Sequence, residues 1–195
     1  MKIENYQVPK SSFLSIDKDT DLIISKLMKN ERLKRLLHWT TSDCVSRANL
    51  SEEESLKMIG KEIRLIPRLA LEGEVLNYII LTFNNFTPNR TNPYFRDNII
   101  EFHIICHYDQ WQLQGGQLRP YRIAAEIDSM FNNTHLSGIG TLQFIGANQT
   151  IINDEFAGIT LFYAAIHGDE DQKHMIPQEA DEQFIDEFNA IWNSK

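Results

Sequence analysis

Very little in this sequence belongs to the usual vocabulary of catalysis or secretion. Only two cysteines occur in 195 residues, Cys44 and Cys106, far apart and in unlike contexts. They match no metal or redox spacing, and two buried or free thiols is the reading they support. No hydrophobic run approaches the ~20 apolar residues of a membrane span. The N-terminal "MKIENYQVPK" has no apolar stretch of the signal-peptide kind, so a soluble intracellular product is expected. There is no Gly-Lys-Ser/Thr phosphate loop and no nucleophile elbow. Neither an internal repeat nor a low-complexity tract is present.

Basic residues are also short, 19 against 27 acids, for a net charge of −8. The deficit is uneven. Residues 1–70 hold 13 Lys/Arg and 10 Asp/Glu, whereas residues 71–195 hold 6 and 17. Such an acidic half repels phosphates and argues against a module that reads DNA sequence. It suits a surface that DNA slides past without being held.

What is present reads as a globular α+β chain. A composition of 42% hydrophobic and 24% charged residues is that of a folded domain. The length suits one domain, 1–195, in three parts. Residues 1–70 read as mainly helical, 71–170 as an α+β core, and 171–195 as an acidic C-terminal helix. Leu22, Ile23, Leu27, Leu33, Leu36 and Leu37 recur near helical spacing, with Asn30 as an interruption. "SEEESLKMIG" opens with a capping box, Ser51 and Glu54, and closes on Gly60.

The texture then changes. "VLNYIILTF" (75–83) and "NIIEFHIICHY" (98–108) are rich in β-branched and aromatic residues and read as strands. On the second, Ile100, Phe102, Ile104 and Cys106 share one face, and Glu101, His103 and His107 the other. The connection Asn84–Asp97 has 14 residues, against about 2–5 in an ordinary hairpin loop. Pro120 then suits the first turn of a helix whose stripe is Ile123, Ala124, Ile127, Met130 and Phe131. Arg122, Glu126 and Asp128 fall on its other side. The glycines of "SGIG" start a strand, "TLQFI", and "FAGITLFYAAIH" (156–167) returns after "GANQTIINDE". The apolar stripe of Phe184, Ile185, Phe188, Ile191 and Trp192 marks the terminal helix. The expected architecture is a four-stranded antiparallel sheet, in the order strand, strand, helix, strand, strand, with helices on one face.

Two clusters invite a metal reading. Glu101, His103 and His107 on one strand face are of the right types for a divalent ion and a metal-dependent hydrolase. Alternation on a half-exposed strand supplies the same residues without any ion. "HGDEDQKH" gathers His167, Asp169, Glu170, Asp171 and His174, but lacks the ligand ladder of a calcium loop and reads as an acidic turn. The reading adopted has no metal and no cofactor.

Taken together, "FRDNIIEFHIICHYDQW", "LRPYRIAAEIDSMFNN", "LSGIGTLQFIGA" and "DEFAGITLFYAAIHG" resemble the tail terminator and neck proteins of tailed bacteriophages. The resemblance covers roughly residues 70–170. It implies a structural virion protein and no enzyme: a ring, usually a hexamer, that stops the tail tube and meets the head connector. Double-stranded DNA would pass through its lumen without sequence-specific binding. The partners implied are other copies of the chain, the tail tube protein and connector or portal-associated proteins, with no membrane. The location implied is the neck or tail of the virion, after assembly in the host cytoplasm. A head-completion or connector adaptor of the same neck is the nearest alternative, and a host-directed binding module a more distant one. For subunit or partner contacts the expected residues are Asn89, Arg90, Tyr94, Phe95 and Arg96 in the long connection, with Arg122 and Glu126 on the helix. Aromatic and arginine side chains are the usual anchors of such interfaces.

Overall fold

Capping chemistry sets the first helices. In the computed structural model, which describes Phe13 and residues 16–65, 75–89 and 96–167, α1 spans Ile16–Met28 and α2 Glu31–His38. Asn30 separates them as the N-cap of α2, its side chain accepting the Leu33 N–H at 3.0 Å. Ser51 and Glu54 form the expected capping box at the start of α3, Glu52–Lys57. Gly60 follows two residues beyond the cap with φ +87°, a conformation that costs a glycine least. Leu22 departs from the expected stripe. It is exposed, and Ile24 is buried beside Ile23 and Leu27.

Among the described residues the sheet has six strands, not four. Its order is β1-β2-β3-β6-β5-β4, with β1 Ile63–Arg64, β2 Asn77–Pro88, β3 Arg96–His107, β4 Thr134–Leu136, β5 Gly140–Ile151 and β6 Phe156–His167. The four long strands contain the segments that β-branched residues marked and pair antiparallel, but β2 runs on to Pro88 and β3 begins at Arg96, so both ends of the connection expected over Asn84–Asp97 are strand instead. The two additions are short. β1 joins β2 in parallel through Ile63 and Arg64, which makes the sheet mixed. β4 arises from "NNTHLSG", expected only as a helix stop: left-handed Asn133 (φ 54°) ends the helical course, and Gly138 and Gly140 turn β4 back onto β5. β5 also runs through Ile151, into a stretch expected to be a connection.

One face carries the main core. Ile100, Phe102, Ile104 and Cys106 are all fully buried, as their alternation required. Against them lies α4, Arg119–Phe131, with Ile123, Ile127 and Phe131 at 0% exposure. Phe102 sits 5.0 Å from Phe131 and 5.7 Å from Tyr163, ring centre to ring centre. Ile23, Leu27, Leu33, Leu36 and Leu37 enter this same cluster, so α1 and α2 bury their apolar faces in the sheet's own core. At the centre β6 approaches β3 very closely. A Cβ on Gly158 would stand 1.7 Å from the Ile104 carbonyl oxygen.

Candidate functional site

The face of the sheet opposite α4 holds a row of polar side chains that crosses four strands. Thr82 of β2 lies 3.0 Å from His103 Nε2, and His103 Nδ1 lies 3.1 Å from Thr160 of β6. Thr160 in turn meets Thr150 of β5 at 3.0 Å. Glu101 approaches His103 Nε2 at 3.2 Å. A carboxylate can only accept, so Nε2 carries the proton and Nδ1 accepts from the Thr160 hydroxyl. Burial lowers the His103 pKa, and the Glu101 charge opposes that shift in part. The imidazole is therefore neutral near pH 7.

The residues considered for a metal do not converge. His107 shares the face with Glu101 and His103, but its Nδ1 accepts the Asp109 N–H at 3.2 Å and its ring stands edge-on to Phe156. Among the described residues no three His, Cys, Asp or Glu side chains gather as a metal would need. Of "HGDEDQKH", residues 168–174 lie outside the described residues, as does the expected C-terminal helix. Cys44 and Cys106 are free and buried. Burial pushes the Cys106 thiol up to about 12, which keeps it protonated and unreactive.

The expected contact residues divide in three ways. Arg90, Tyr94 and Phe95 lie outside the described residues. At the two ends of the long connection, Asn89 donates to the Asp97 carboxylate at 2.8 Å and the Arg96 guanidinium covers the Phe13 ring at 5.0 Å. On α4 the outward reading needs correcting. Glu126 accepts from Asn30 at 3.1 Å and pairs with Arg32 at 3.2 Å, and Asp128 accepts the Tyr163 hydroxyl at 2.9 Å. Arg122 is half-buried, with its Nε shielded. Helical periodicity identified the non-core side of α4 but not that α2 and β6 would meet it.

Sequence reasoning passed over Arg119. It is fully buried, and its guanidinium donates to five carbonyls: Gln110 at 2.7 Å, Leu36 at 2.6 Å, Trp39 at 2.8 Å, Thr40 at 3.2 Å and Thr41 at 2.8 Å. A cation at a helix N-terminus opposes the helix dipole, and that conflict in "LRPYR" was the available signal. The carbonyls that end α2 supply the compensating negative charge.

Two features of the sheet remain open. A depression of about 690 Å³ lies where Ile99, Gln143, Ile145, Ala164 and Ile166 meet near the start of β5. Beyond it, β4 covers only Gly140–Leu142 of β5, and among the described residues the rest of that strand lies at the margin of the sheet. An open depression and a free strand margin of this kind can receive a side chain or a strand.

Among the described residues no helix is long and apolar enough to cross a membrane. No curated protein matches the sequence. A family model does match, over residues 30–165, from the cap of α2 almost to the end of β6. With more than two thirds of its length covered, including α2 to α4 and, but for the end of β6, strands β1 to β6, the chain belongs to the YomW family.

Proposed function

We propose that this protein is a ring-forming structural component of a tailed-phage neck, ending the tail tube and joining it to the head connector. One observation carries the reading: the succession β2–β3, α4, β5–β6, with α4 on one sheet face. That is the layout implied by the resemblance to tail terminator and neck proteins. Membership of the YomW family accords with a phage origin. The opposite sheet face and the β5 margin provide surface for neighbours, and heterologous contacts between copies close into rings. The excess of acid in residues 71–195 suits a lumen that lets DNA through without gripping it.

A connector adaptor is the second reading. It is favoured by α1 and α2, helices merged into the core that the terminator-like strand and helix order does not account for. The test begins with the purified full chain. Light scattering and negative-stain images are expected to show a ring-sized oligomer with a central opening, usually six copies by the resemblance. A chain that stays monomeric at every concentration, even with tail tubes and connector present, overturns the proposal. Cross-links to portal-side proteins and none to the tube would select the adaptor.

A further inference from the structure

Beyond the register shift between Phe144 and Gly146, the outer margin of β5 has, among the described residues, no cover and no charged or proline guard against pairing. Such edges are ordinarily shortened, covered, or marked by lysine, proline or inward charge. Here the run from Leu136 to Asn153 contains no Asp, Glu, Lys, Arg or Pro. It sits in a chain of net charge −8. Within it Ile145–Ile151 has β6 on one side and, among the described residues, no strand on the other. Ile151 is 72% exposed, the most exposed large apolar side chain described, and Ile145 is 54% exposed. A register shift at Ile145 bends the strand there but leaves Gly146–Ile151 in regular pairing with β6.

We propose that Ile145–Ile151 of β5 is a subunit contact, which takes a strand from a second copy of this chain by edge-to-edge pairing. Charge selects the occupant. Two acidic chains repel wherever their carboxylates face each other, and this uncharged margin is where a copy approaches without that opposition. Pairing supplies backbone partners to the outward N–H and C=O groups and covers Ile145 and Ile151. It deepens the ring reading by naming where neighbours join.

The test uses the full chain with Asn148→Lys and Gln149→Lys together. Both positions are exposed on opposite faces of the strand, so the subunit is expected to keep its melting temperature and near-ultraviolet dichroism. Self-association measured by sedimentation should weaken roughly tenfold or more, because ammonium groups are set into the margin. A second variant, Asn148→Cys, adds a thiol to a chain whose two native thiols are buried. Under mild oxidation it should give a cross-linked dimer if the contact is two-fold, or block assembly once alkylated with a bulky group if it is head-to-tail. Rings that form equally well from wild type, the lysine variant and the alkylated cysteine variant overturn this contact and leave the ring reading standing. A wild-type dimer abolished by the lysines, with no ring at any concentration, does the reverse. A monomeric wild type overturns both.

Discussion

Replacing Arg119 by methionine removes five donors and a buried charge while keeping most of the side chain's length. Two of its bonds, to Leu36 O and Gln110 O, are buried, so those carbonyls would lose their partner with no water to replace it. Each orphaned group costs about 1–3 kcal/mol. The bonds to Trp39, Thr40 and Thr41 are only partly buried, and their carbonyls can be rehydrated at small cost. The expected loss is about 3–5 kcal/mol, which in a chain of this length lowers the melting temperature by about 6–20 °C. Urea titration of the wild type and Arg119→Met measures it directly. Arg119→Lys sharpens the test, since an ammonium keeps the charge but has three donors and no planar fork. It should fall between the two. A methionine variant within about 2 °C of wild type would refute the argument, and a lysine variant equal to wild type would show that charge alone suffices.

Two further outcomes follow from the sheet. Gly158→Ala forces a methyl group against the Ile104 carbonyl in the middle of the β3–β6 pair, and should destabilise by about 3 kcal/mol or fail to give soluble protein; an alanine variant with an unchanged urea midpoint contradicts the close approach. For His103 the folded pKa lies below its ordinary value because of burial, so its contribution is fully present above the unfolded pKa of about 6.5 and is lost as pH falls through the lower folded value. Melting temperatures between pH 7.5 and 5 should therefore drop more for wild type than for His103→Gln, and equal drops would mean that this imidazole protonates freely.

The parts of the fold legible in the sequence are those set by neighbours within a few residues. Asn30, the Ser51–Glu54 box and Pro120 mark helix boundaries because capping acts over one turn. β-branched and aromatic content located β2, β3 and β6, and alternation identified the buried face of β3. Neither signal marked the second half of β5. Gly146–Ile151 is solvated on both faces and has no alternation to show, so it read as a connection. The candidate metal face was legible as residue types only. His107 is directed to Asp109 and Phe156 by the turn after β3, which periodicity does not describe.

Local sequence, then, determined the helices, the long strands and the face of α4 that meets the sheet, since these follow from steric propensity, capping and period. Tertiary structure alone decided that β6 inserts between β3 and β5, that Glu126 and Asp128 are taken up by α2 and Tyr163, and that Arg119 joins the end of α2 to the start of α4. These choices depend on groups far apart in the chain, where burial and the need to satisfy every buried polar atom select one arrangement from many that local rules allow.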